Sequence, residues 1–168
     1  RWHQALGDWQ QAAWNSWMQI GYARTGTSPQ QSAKLQYFRQ ASTGGHDLME
    51  MNRDRLLPAA IAAIEAMQQA GYTPPLPPRF RLPGRALHEK MAGFMDKGVA
   101  DGLFMPHDRT TALAIGSIIV NTDSDATLDA DEEAMFGRER AAFISLAQTP
   151  ATQARIRSML ETGTAIRN

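Results

Sequence analysis

The sequence predicts an all-α chain of six or seven helices in two clusters joined by a proline-rich connector, and three observations lead there. Apolar residues recur at steps of three and four through most of the chain, the spacing of one helix face. Capping signatures, with a hydroxyl residue followed by proline, precede two of these stretches. Five of the twelve residues from Thr73 to Gly84 are proline, a composition that favours an extended, polyproline-like connector over helix or sheet. The boundaries are then a helical segment over 1–72, the connector over 73–84 and a C-terminal helical subdomain over 85–168.

From Trp2 to Tyr22 the apolar residues Trp2, Leu6, Trp9, Ala13, Trp17 and Ile20 keep helical spacing, with Trp14, Met18 and Tyr22 widening the stripe. One long amphipathic helix is expected, and aromatic residues at that spacing usually pack in a core. Ser28, Pro29 and Gln31 form a capping box for a second helix reaching about Phe38. A turn-rich break over Ser42-Thr43-Gly44-Gly45-His46 follows. Asn52 caps a helix with Leu56, Leu57, Ile61, Ile64 and Met67 that Gly71 ends; Pro58 moves its true start toward Leu57 or kinks it.

Beyond the connector, Leu87, Met91, Phe94, Met95 and Val99 mark a helix ending near Gly98 or Gly102. The stretch from Asp108 to Val120 suits a helix, yet Ile115, Ile118, Ile119 and Val120 would also suit a buried strand. A polar loop begins at Asp123-Ser124-Asp125. Asp129 and Glu132 then form a capping box for a helix carrying Met135, Phe136, Phe143 and Leu146. The last helix has Thr149 as cap, Pro150 first, Ile156, Met159 and Leu160 on one face, and Gly163 just past its end.

Seventeen basic residues balance seventeen acidic ones in a chain of 168, so the overall field gives no reason to bind nucleic acid or an anionic membrane. The absence of cysteine removes disulfides, thiolate nucleophiles and cysteine-based zinc sites. No apolar run approaches the roughly 20 residues of a membrane span and no leader pattern is present, so a cytoplasmic protein is expected. Arg1 stands where an initiator methionine would, with helical periodicity already running by Trp2, which suggests a sequence cut from a longer one.

No complete catalytic site is legible. His3, His46, His88 and His107 form no metal-binding pair on one helix face. The acidic residues Asp123, Asp125, Asp129, Asp131, Glu132 and Glu133 lack the glycine and final glutamate of a calcium loop. Dinucleotide and Walker glycine patterns and the Gly-x-Ser-x-Gly elbow are missing. His107-Asp108 has the composition of an oriented base, but an aspartate opening a helix is more often a cap. Arg138, Glu139 and Arg140 read as ion-pairing residues between helices.

Three strings stand out before the tail: Met51-Asn52-Arg53-Asp54-Arg55-Leu56-Leu57, Gly71-Tyr72-Thr73-Pro74-Pro75 and Pro106-His107-Asp108. The tail adds Glu139-Arg140-Ala141-Ala142-Phe143-Ile144-Ser145-Leu146, Thr149-Pro150-Ala151-Thr152, Ala154-Arg155-Ile156, Met159-Leu160-Glu161-Thr162-Gly163 and Arg167-Asn168. Together these strings resemble the C-terminal region of bacterial 3-hydroxyacyl-CoA dehydrogenase and enoyl-CoA hydratase multifunctional proteins of fatty-acid β-oxidation. The resemblance spans roughly Ser28 to Asn168, and weakly the first helix. Departures are Asn121-Thr122-Asp123 where the family usually has Gly-Gly-Asp, Pro58 inside a helix, and Ala141 where an acidic residue is common.

The resemblance implies a noncatalytic helical part of such an enzyme, with lipid-metabolic chemistry and NAD belonging to domains upstream of Arg1. Its partners would be the preceding hydratase and dehydrogenase domains or another subunit, and it would border an acyl-CoA site without holding a cofactor or a metal itself. An alternative is a free-standing helical interaction subunit docking through Trp2, Trp9, Trp14 and Trp17. A third reading is a small acyl-CoA binder using Arg24, Lys34 or Arg39 against the phosphates.

Overall fold

The computed structural model describes residues 1–38 and 47–168, and these are mainly α-helical. The expected break at Ser42 to His46 lies outside the described residues, as does Arg39. The chain forms two compact units: Arg1 with Thr25–Pro77, and Trp2–Arg24 with Pro78–Asn168. This differs from a cut at the prolines, because the first helical segment belongs with the C-terminal helices.

That first segment is two helices, α1 (Trp2–Leu6) and α2 (Trp9–Gly21), and not the single helix expected. Apolar spacing is blind to the break. Gly7 takes the left-handed conformation at φ 70°, which costs glycine little, and Asp8 caps α2 by accepting from the Gln10 and Gln11 amides. The indole of Trp2 donates to Gln19 Oε1 at 3.0 Å, and His3 stacks on Trp9 with ring centroids 3.9 Å apart.

The smaller unit holds α3 (Pro29–Lys34), a short 3-10 turn (Arg53–Arg55) and α4 (Leu56–Gln69). Ser28 Oγ accepts the Gln31 amide as expected, but Gln31 Oε1 reaches back to Thr27, not Ser28. The helix stops at Lys34, short of Phe38, because Gln36 turns left-handed at φ 60°. Asn52 caps the 3-10 turn through the Asp54 amide. Pro58 falls in the first turn of α4, where its missing N–H has no helical partner to lose, so the later start is the one adopted. Gly71 at φ 67° ends α4, with Gly71 N donating to Gln68 O and Tyr72 N to Met67 O. No residue of α4 is buried; Leu56, Leu57, Ile61 and Ile64 are all exposed.

The larger unit is built on three helices: α2, α5 (Arg85–Ala100) and α6 (Pro106–Ile119). Their shared core contains Ala13, Trp17, Leu87, Met91, Met95, Ala112 and Val120, with Trp14, Met18, Phe94 and Phe104 packed against it. The helix-or-strand ambiguity at 108–120 resolves to helix: Pro106 starts it, and Ala112 and Gly116, four apart, present a narrow buried face toward Met91.

The prolines run into a strand the composition argued against. Strand β1 (Phe80–Leu82) pairs antiparallel with β2 (Leu128–Ala130), setting Phe80 opposite Ala130, Arg81 opposite Asp129 and Leu82 opposite Leu128. Pro83 can lie beside the ladder because its carbonyl is the group used, accepting the Asn121 amide at 2.7 Å. Two further helices complete the unit, α7 (Glu132–Ala147) and α8 (Pro150–Thr162). Asp131, not Asp129, caps α7 through the Ala134 amide; Asp129 is occupied in β2 opposite Arg81. Thr149 caps α8, Pro150 opens it and Gly163 closes it. Among the described residues eight α-helices thus stand where six or seven were expected, the surplus arising from the division at Gly7.

Two substitutions test this packing. Met91→Ala, at a fully buried position, is expected to lower unfolding free energy by about 2–5 kcal/mol in urea titration. Asp8→Ala should cost about 1 kcal/mol and Asp8→Asn much less, as measured by thermal unfolding, if Asp8 acts as the cap of α2.

Candidate functional site

A cleft of about 280 Å³ opens on the larger unit. Its walls come from α2 (Trp17, Met18, Gly21, Tyr22), α5 and the turn after it (Phe94, Met95, Phe104) and α6 (Asp108, Thr111, Ala112, Ile115), with Arg155 of α8 at one edge. Aromatic packing shapes the apolar side. Phe94 stands edge-on to Trp14 and Trp17 at centroid distances of 5.8 and 5.7 Å, and Phe104 lies 6.0 Å from Phe94. The Trp17 indole is satisfied within the wall, donating to Ala112 O at 2.7 Å.

The polar edge is a network through residues distant in sequence. Asp108 Oδ2 accepts the Met105 amide at 2.9 Å, which caps the start of α6, and Asp108 Oδ1 accepts from Arg155 Nη2 at 2.7 Å. Arg155 also donates from Nε to Asn168 Oδ1 at 2.7 Å and from Nη2 to the Asn168 carbonyl at 3.0 Å. Asn168 Nδ2 returns a bond to Ala151 O, and Arg167 donates to Leu103 O. Neighbouring His107, which is buried, shares a hydrogen bond of 2.8 Å between Nε2 and Thr152 Oγ1. His107 and Asp108 are therefore engaged with different partners, and Asp108 serves as a helix cap and ion-pair member.

Burial pushes the Asp108 carboxyl up, but the Met105 amide and the Arg155 and Arg167 charges outweigh it and hold the group below the ordinary carboxylate value. On the surface, the bond from Arg109 does the same for Asp96.

Sequence reasoning missed two arginines. Arg138 makes no ion pair among the described residues; it donates to the carbonyls of Ser117, Ile118 and Val120, covering the unsatisfied end of α6 with a positive charge. Arg155 gave no signal beyond its place in the tail string. The acidic loop is spread among cations, with Arg85 on Asp125, Arg81 on Asp129 and Arg79 on Asp131. Among the described residues no group of three His, Asp or Glu side chains is placed to hold a metal ion, and no helix is long and apolar enough to cross a membrane.

Of the phosphate candidates, Arg24 and Lys34 belong to different units, and Arg39 lies outside the described residues. Arg24 is exposed and lies over the Tyr22 ring, 5.4 Å from its centroid, while Lys34 is exposed at the end of α3. Of the docking candidates, Trp17 is in the core and only Trp2, Trp9 and Trp14 keep part of their surface, with the Lys90 ammonium 5.1 Å over Trp14. Burial takes Trp17 out of any docking face.

The fold and the cleft thus define a helical unit with an apolar recess bordered by the Asp108–Arg155 pair. Over 157 residues the chain is 25% identical to a probable 3-hydroxyacyl-CoA dehydrogenase of Bacillus subtilis (strain 168). The matched stretch is 94% of this chain and 19% of that protein, so the chain spans a small part of the relative it resembles. No family model matches the chain, and no solved structure does.

The Asp108 pair carries a pH signature. Its folded value lies below the unfolded one, so its contribution to stability is complete above about pH 4 and is lost as pH falls through the folded value. Arg155→Met should flatten the acid limb of a stability-versus-pH profile while leaving the slope near neutrality unchanged. An unaltered acid limb would assign it to other carboxylates.

Proposed function

We propose that the chain is a noncatalytic helical part of a cytoplasmic fatty-acid β-oxidation enzyme of the 3-hydroxyacyl-CoA dehydrogenase and enoyl-CoA hydratase type. In this reading the NAD-dependent chemistry belongs to other domains, and the chain packs against them and borders their acyl-CoA site. The observation that carries the reading is similarity to a probable 3-hydroxyacyl-CoA dehydrogenase along 94% of the chain. Two features of the molecule support it. Residues of the strings that carry the resemblance bond to one another across helices, His107 to Thr152 and Asp108 through Arg155 to Asn168. The apolar residues Phe136 and Phe143 on α7, and Met159 and Leu160 on α8, are exposed, Leu160 at 82% of its surface. Such faces suit contact with further protein.

The 168-residue chain alone should neither hydrate crotonyl-CoA nor oxidise NADH in the presence of acetoacetyl-CoA. Steady turnover of either at rates above buffer, removed by no contaminant-directed purification step, would overturn the reading.

A further inference from the structure

Helix α8 carries an exposed outward face whose apolar and charged residues are complementary to a second copy of themselves. We propose that this face joins two copies of the chain, α8 lying antiparallel against α8 about a twofold axis.

Bonds to α6 decide which side of α8 points out. Thr152 meets His107 and Arg155 meets Asp108, so the side that carries these two residues lies against α6. At about 100° of turn per residue, Gln153, Ile156, Arg157, Leu160 and Glu161 fall on the other side. These five line a shallow groove along the helix. All are exposed, Leu160 at 82% and Ile156 at 46% of their surface. Two branched apolar side chains one turn apart in solvent are what a packed helix pair would cover.

Charge selects both the occupant and its direction. Arg157 and Glu161 are also one turn apart, yet neither has an ion pair among the described residues. Arginine preceding glutamate is the weaker order for pairing within a helix. Parallel packing would set Arg157 beside Arg157 and Glu161 beside Glu161. Antiparallel packing, with the twofold axis at the level of Ser158, sets Ile156 opposite Leu160 of the second copy. Arg157 then stands about 3 Å along the helix axis from Glu161 of that copy, on the same flank of the apolar seam. A twofold axis repeats every contact, so both apolar pairs and both ion pairs form together.

Covering the five side chains removes roughly 500 Å² of surface per copy, about 1,000 Å² in all, the lower limit for a specific association, so the pair is a weak one.

The test is sedimentation equilibrium of the full 168-residue chain from about 1 to 500 µM, with folding followed by circular dichroism. The mean mass is expected to rise across this range from that of one chain toward that of two. Leu160→Glu should leave a monomer throughout, with its melt unchanged because the residue is exposed. Arg157→Glu and Glu161→Arg each set like charges together twice and should raise the dissociation constant about tenfold or more. The double variant Arg157→Glu/Glu161→Arg should bring it back to within about threefold of the parent chain. Glu65→Arg makes the same change of charge on α4, in the smaller unit, and should leave the dimer intact. A monomer at every concentration, association that survives Leu160→Glu, a double variant no tighter than either single one, or equal loss with Glu65→Arg would each overturn the proposal. So would a trimer, which a closed twofold pair does not give. Self-association is read as mass, so it holds or fails separately from the turnover measurement that tests the dehydrogenase reading.

Discussion

The larger unit depends on the seating of Trp17 of α2 against α6. Its indole is 2% exposed, and its N–H donates to the carbonyl of Ala112, a residue 95 positions away. A buried indole without an acceptor would carry the desolvation cost of an unmade hydrogen bond, and a backbone carbonyl has a second lone pair to give beyond its helical bond. Small side chains on α6 make the approach feasible. Ala112 and Gly116 leave room for Trp17, Met91 and His88 on one helix face, and the His88 ring meets Leu113 O at 3.0 Å, which places its proton on Nε2. From that contact follow the adjacent cleft, the packing of α5 and the membership of the first helices in a unit whose remainder begins at Pro78.

Much of the helical content was legible because local chemistry decided it. Thr149-Pro150 and Gly163 delimit α8, Gly71 closes α4, and the periodicity of Leu87, Met91 and Met95 marks the buried side of α5. What stayed hidden was decided by partners remote in sequence or by competition between neighbours. The apolar repeat from Trp2 to Ile20 continues across a break that one left-handed glycine and one aspartate cap produce. Asp129 and Asp131 are equally good caps in isolation, and the pairing of Asp129 with Arg81 settles which one serves. Strand β1 is made by its pairing with β2, and nothing within 73–84 announces the partner at 128–130.

The candidate site was less legible than the fold for the same reason. His107-Asp108 could be read locally as a base or as a cap, and only α8 distinguishes them, by giving Thr152 to the histidine and Arg155 to the aspartate. Arg138 had the sequence context of an ion-pairing surface residue, whereas its guanidinium satisfies three carbonyls at the end of α6. Planar donors in a fixed fork suit that task, which a lysine would perform with a single mobile centre. The tail string was visible as a resemblance and silent as to mechanism.

The bonds between Arg155 and Asn168 tie a residue outside every helix to the polar edge of the cleft. Loss of the Asn168 side chain would strip Arg155 of its one bond from Nε, leaving Asp108 and the backbone carbonyl of residue 168 as its partners among the described residues. Arg155, which lines the recess, would then be held by fewer bonds. A side chain far from α2 in sequence thereby helps to hold a charged group at the edge of a pocket that α2 helps to enclose.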